Sequence, residues 1–270
     1  MDDGARMERR RIRIVTGAGL TAALLAASYQ ALWRDRCQTW GAAPDEVTLS
    51  LPGDELLPAA DVVTTRVIAI GAPPAAVWPW IVQMGSGRAG TYTYDWLENL
   101  FGLDMHSADV ILPQFQDLNA GDEFPIGPGT LRVEAIDPGR RLTTQVPEWN
   151  WVRTFCLVPD ENGTRLLLRN RIRYPGMNAV AQFGHRLISE PGGLLMERKM
   201  LLGIKERAER LARDRQEPAS PGPAAQDAAQ PAVSHRTVTS PGRSRHHDYA
   251  TRHLERGLRT YCDPRARHLS

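Results

Sequence analysis

Leu194-Leu195-Met196-Glu197-Arg198-Lys199-Met200-Leu201-Leu202-Gly203-Ile204-Lys205-Glu206-Arg207-Ala208-Glu209-Arg210-Leu211-Ala212-Arg213 reads as one amphipathic helix. Leu194, Leu195, Met196, Met200, Leu201, Ile204, Ala208 and Leu211 recur at helical spacing and form an apolar stripe. Glu197, Arg198, Lys199, Lys205, Glu206, Arg207, Glu209 and Arg210 make the opposite face polar, with Glu206 and Glu209 each four residues before a basic partner, Arg210 and Arg213. Such a stripe is a packing face and needs a surface to cover. A second helical stretch over residues 179–189 precedes it, and Pro191-Gly192-Gly193 is expected to separate the two.

The surface is supplied upstream. Short segments at 122–126, 131–136, 142–146, 149–158 and 164–174 are divided by Gly127-Pro128-Gly129, Asp137-Pro138-Gly139 and Asp160-Glu161-Asn162-Gly163. Glycine and asparagine supply the positive φ that tight hairpins need, so the pattern is an antiparallel meander. In Leu166-Leu167-Leu168-Arg169-Asn170-Arg171-Ile172-Arg173-Tyr174 the later part alternates, which predicts one wet and one buried face. Further upstream, Val62-Val63-Thr64-Thr65-Arg66-Val67-Ile68-Ala69-Ile70 is β-branched and ends at Gly71-Ala72-Pro73-Pro74. Pro74 opens a helix whose apolar face is Val77, Trp78, Ile81, Val82 and Met84, and Pro79 falls early enough to be tolerated. Another helix is expected over 95–101, capped by Asp95 and stopped at Gly102.

Between these helices, Met84-Gly85-Ser86-Gly87-Arg88-Ala89-Gly90-Thr91-Tyr92-Thr93-Tyr94-Asp95-Trp96 joins a glycine loop to aromatic side chains. Glycine permits backbone conformations that other residues resist, and Tyr92, Tyr94 and Trp96 each offer an apolar face with one polar handle. With Gln83 and His106 they form the candidate ligand-binding set, a lining suited to a bulky, mostly apolar molecule. The competing reading is a glycine turn with ordinary core aromatics. The loop lacks the spacing of a phosphate or dinucleotide loop, and Ser86 lacks that of a nucleophile elbow. His106 and Asp109 are the candidate catalytic pair, an imidazole oriented by a carboxylate for acid–base work; a purely structural histidine competes with that reading.

The 270-residue chain is 42% hydrophobic, enough for one sizeable domain with appendages. With 33 basic and 31 acidic residues its net charge is +2, which gives no field for nucleic acid. Cys37, Cys156 and Cys262 lie far apart and imply no metal cluster; no metal or cofactor is expected. Residues 1–36 hold an arginine-rich flank and an uncharged run over 14–33, long enough to span a bilayer. Three readings compete for it: a signal anchor with a cytoplasmic amino terminus, a cleaved secretory signal, and an amphipathic helix on the domain or membrane surface. The first makes the protein membrane-associated through 14–33, with a soluble cytoplasmic protein as the alternative. Residues 37–60 are expected to be a linker, 61–213 the domain, and 214–270, rich in Pro, Ala, Ser, Gln, Arg and His without period, a disordered tail.

Five blocks in order, Trp40-Gly41-Ala42, Leu51-Pro52-Gly53-Asp54, Val77-Trp78-Pro79-Trp80-Ile81-Val82-Gln83-Met84-Gly85, Tyr94-Asp95-Trp96-Leu97-Glu98-Asn99 and Met196-Glu197-Arg198-Lys199-Met200-Leu201-Leu202-Gly203-Ile204-Lys205, resemble the START-like SRPBCC superfamily, in its polyketide cyclase/dehydrase-like branch. The resemblance covers about residues 40–213. It implies an α+β helix-grip fold, START/Bet v 1-like, with a curved antiparallel sheet around a long carboxy-terminal helix. It also implies an apolar small molecule, lipid or polyketide-like, held in the cavity between them. A cyclase- or dehydratase-type enzyme using His106, Asp109 and tyrosine hydroxyls is the alternative; the resemblance carries no catalytic motif onto these residues.

Overall fold

The computed structural model describes residues 32–216 without interruption, together with residues 7, 16, 17, 19, 21 and 27–29. The tail beyond 216 and most of the run 14–33 lie outside the described residues. Two short helices, α1 (Arg34–Gln38) and α2 (Pro44–Thr48), lead into strand β1 (Val62–Ile70), followed by α3 (Pro74–Val82) and α4 (Asp95–Leu100). Strands β2 (Glu123–Ile126), β3 (Gly129–Asp137), β4 (Arg141–Val146), β5 (Trp151–Asp160) and β6 (Gly163–Ile172) form the meander, and α5 (Ala179–Gln216) closes the fold. The sheet is curved and antiparallel, in the order β1-β6-β5-β4-β3-β2. This is the helix-grip architecture.

The meander's turns and the apolar periods place the core. Phe155, Leu157, Leu166 and Leu168 on the inner sheet face meet Trp80 and Ile81 of α3 and Leu201, Ile204 and Ala208 of α5. Gly203 marks a close approach of α5 to the loop before α4: a β-carbon there would stand 2.8 Å from both Cβ and O of Tyr92. Helix α5 runs unbroken through Pro191. The expected break at Pro191-Gly192-Gly193 is thus corrected, because proline removes one backbone hydrogen bond without preventing the next turn. Next to it, buried Glu190 accepts from Tyr29 Oη at 3.1 Å, Gln38 Nε2 at 3.1 Å and Arg34 Nε at 3.4 Å.

The segment 37–60, expected as a linker, is built into the fold. Leu51 packs with Val67, Cys156, Val158 and Leu167 on the outer sheet face. Arginines of β6 clamp it: Arg169 donates to Asp54 Oδ2 at 2.9 Å and to the carbonyls of Glu46 and Val47 at 3.0 Å, Arg165 pairs with Glu46, and Arg171 Nε donates to Leu57 O at 2.9 Å. The β6 face read as wet is therefore covered, because arginine stems pack as apolar surface while their forks bind this segment.

The single-pass membrane reading with a cytoplasmic amino terminus is corrected. No helix among the described residues is long and apolar enough to cross a membrane. Thr16, Gly17, Gly19, Thr21, Ser28 and Gln30 dilute the run 14–33, and its described end is tied to α5 through Tyr29 and Glu190.

Candidate functional site

Strand alternation sends Trp151, Arg153 and Phe155 of β5 to the face covered by α5, and register builds a polar rung across that apolar face. Thr144 of β4 stands opposite Arg153, Arg153 opposite Asn170 of β6, and Asn170 opposite Thr64 of β1. Asn170 Oδ1 accepts from Trp151 Nε1 at 2.9 Å and Arg153 Nε at 3.1 Å, and its Nδ2 donates to Glu197 of α5 at 3.2 Å. Glu197 is also the partner of Arg66, whose Nη2 donates to Cys37 O at 2.9 Å. The rung thus crosses four strands and is tied to the long helix through Glu197.

Against it lies a cavity of about 170 Å³, lined by Thr91, Thr93, Glu98, Leu103, Met105, Ile126, Trp149, Trp151, Arg153, Met196, Glu197 and Met200. A smaller space of about 40 Å³ adjoins it through Thr91, Ile126 and Arg153 and continues toward Leu118, Phe124 and Phe155. Trp149 and Trp151 stack at the wall, ring centroids 6.2 Å apart. Arg153 lies over the Trp151 ring at 4.3 Å from its centroid. Burial pushes its guanidinium below the ordinary arginine value, a shift opposed by Glu197 and Glu98. The side chain keeps some accessible surface although protein encloses it, because that surface borders the two spaces it lines. Glu98 is buried and accepts from Thr91 at 2.7 Å and from Thr93. A wider groove of about 510 Å³ lies elsewhere, between Tyr29, Trp33, Cys37 and the Pro191–Leu195 part of α5; it touches none of the rung.

The glycine loop does not form this cavity's wall in the expected way. Gly85 and Gly90 pair as an isolated bridge, both at positive φ, and a β-carbon on Gly90 would stand 2.7 Å from Ser107 N. Arg88 turns inward between Phe115 and Phe124, 4.5 and 4.8 Å from their centroids, and donates to Val82 O at 2.9 Å.

Of the predicted binding residues, Gln83 and Tyr92 are brought together: Gln83 Nε2 donates to Tyr92 Oη at 2.9 Å, and Tyr92 Oη donates to Trp80 O at 2.9 Å. Both are core residues lining neither interior space. Burial raises the Tyr92 phenol above its ordinary value, against the opposing effects of Gln83 and Arg207, whose guanidinium lies 4.6 Å from the ring centroid. Tyr94 is half-buried and lines neither space, and Trp96 is 71% exposed. His106 and Asp109 are not brought together: His106 is exposed with Asp104 3.2 Å away, whereas Asp109 accepts from Arg207 at 2.7 Å. Asp95 does not cap α4; its carboxylate accepts from Ser107 N at 2.7 Å and Ser107 Oγ at 2.5 Å. What the residue-type reading missed is the set Glu98, Trp149, Trp151, Arg153, Met196 and Glu197. The signal present was the period-two triplet Trp151, Arg153, Phe155, which sets one arginine between two aromatics on the core-facing side.

Solved structures similar to the chain include a protein from Mesorhizobium loti (18% identity, 58% of this chain and 99% of that one, TM-score 0.32) and a protein of unknown function from Staphylococcus aureus (14%, 54% and 94%, TM-score 0.36). A third is a Polyketide_cyc-like protein from Corynebacterium glutamicum (18%, 57% and 91%, TM-score 0.27). No family model and no curated protein matches the chain. The fold assignment stands on sheet order and the long helix rather than on these likenesses.

Proposed function

We propose that this helix-grip chain is a binding domain for a small, mostly apolar molecule held between the sheet and α5. One observation carries the reading: the cavity of about 170 Å³ has apolar walls at Leu103, Met105, Ile126, Trp149, Met196 and Met200, interrupted by a few polar groups. That mixture is the usual make-up of small-molecule sites. The volume lies below the roughly 300–1,000 Å³ of typical ligand pockets, so the ligand is one ring or a short chain rather than the bulky molecule the glycine–aromatic stretch suggests. A cavity of about 150 Å³ suffices for benzene. Binding is favoured over the cyclase or dehydratase alternative because neither His106 nor Asp109 lines the cavity.

Ligand-observed NMR with toluene tests this. Toluene is expected to bind the wild-type protein and to lose binding to Met196→Trp, which fills the cavity from a half-buried position. Absence of toluene binding, or binding unchanged by Met196→Trp in a folded variant, would contradict it.

A further inference from the structure

We infer that the ligand of this cavity carries a carboxylate, bound by the terminal nitrogens of Arg153; the inference rests on the cavity being a small-molecule site. A guanidinium has five N–H donors in a rigid fork. Arg153 uses Nε on Asn170, and its two terminal nitrogens have no hydrogen-bond partner among the described residues. They belong to a side chain that lines both interior spaces and is enclosed by protein, where an unmatched charge and unfilled donors are costly.

The acidic groups nearby are already committed. Glu98 is occupied by the hydroxyls of Thr91 and Thr93, and Glu197 by Arg66 and Asn170. Arg153 makes no ion pair with either, so its open donors, which border the cavity space, can take an acceptor from outside the chain. A carboxylate offers two coplanar oxygens that match the fork. A doubly charged group such as phosphate meets stronger like-charge repulsion from Glu98 and Glu197 across the same cavity than a singly charged carboxylate does. The rings of Trp151 and Phe155, 4.3 and 6.0 Å from the guanidinium carbon, hold the fork in place. Trp149, Met196 and Met200 then face the apolar body of the ligand.

The test compares benzoate with benzamide, equal in shape and different in charge, by ligand-observed NMR on the wild-type protein, Arg153→Gln and Arg153→Lys. Benzoate is expected to bind the wild type about tenfold tighter than benzamide, the ratio a charge-assisted hydrogen-bonded pair supplies. Arg153→Gln should abolish that preference, lowering benzoate affinity by more than benzamide affinity, and Arg153→Lys should retain only part of it. The wild-type ratio decides even where a variant fails to fold. Equal affinities, or toluene binding with neither polar probe binding, overturn the carboxylate inference and leave the cavity reading standing. Failure of all three probes overturns both.

Discussion

Arg153 on β5 and Asn170 on β6 face each other across the sheet, with Arg153 Nε donating to Asn170 Oδ1 at 3.1 Å. The amide does more than hold the arginine: the same oxygen takes Trp151 Nε1, and Nδ2 reaches Glu197 on α5. One fully buried side chain therefore fixes the arginine, a wall of the cavity and the helix that covers it.

Asn170→Leu should be strongly destabilising. It removes one acceptor for two donors and a donor to Glu197, all at a buried position, where each unsatisfied group costs about 1–3 kcal/mol. Because the partners share one network the losses are not additive, and a total of about 2–4 kcal/mol is expected in urea unfolding. A change under about 0.5 kcal/mol, the range of ordinary surface substitutions, would contradict the role assigned to the rung.

Gly203→Ala sets two effects against each other. Alanine is favoured over glycine within a helix by about 1 kcal/mol, yet its β-carbon would stand 2.8 Å from the Tyr92 backbone oxygen, which cannot swing aside. Overpacking of this kind costs about 1–3 kcal/mol, so net destabilisation is expected. A raised melting temperature would show that α5 and Tyr92 are not in close contact.

Tyr92 gives the fold an alkaline limit. Its phenol is pushed above the ordinary value of 10.0, chiefly by burial. A group whose folded value is raised contributes stability that is complete below its unfolded value and is lost as pH rises through the folded one. Stability should therefore fall above about pH 10, and Tyr92→Phe should reduce the steepness of that fall. Tyr174, also raised by burial, leaves a residual slope. An equal slope in Tyr92→Phe would contradict the burial argument.

The fold was legible wherever a local period or turn decides structure. The stripe Met200, Leu201, Ile204, Ala208 is the buried face of α5, and the glycine- and asparagine-marked turns divide the meander close to the observed strands. The site was legible only in part, because it is made by register and not by neighbours in the chain. Arg153 in mid-strand looks like a solvent-facing charge until Asn170 stands opposite it and α5 covers both. Residues 37–60 looked like a linker because their partners, Arg165, Arg169 and Arg171, lie more than a hundred residues away. Gln83 and Tyr92 do meet, and their polar atoms are engaged by each other, by the Trp80 and Val110 carbonyls, and by Leu112 N and Gln116.

The central claim is that the space between β5 and α5 holds a small molecule, and four methionines report on it directly. Met105, Met196 and Met200 line the cavity of about 170 Å³, Met84 lines the adjoining space, and Met177 stands 41% exposed before α5. In methyl-labelled protein titrated with toluene, the Met105, Met196 and Met200 signals should shift together and saturably while Met177 stays in place. Shifts confined to Met177, or no saturable shift at the three cavity methyls, would contradict the claim.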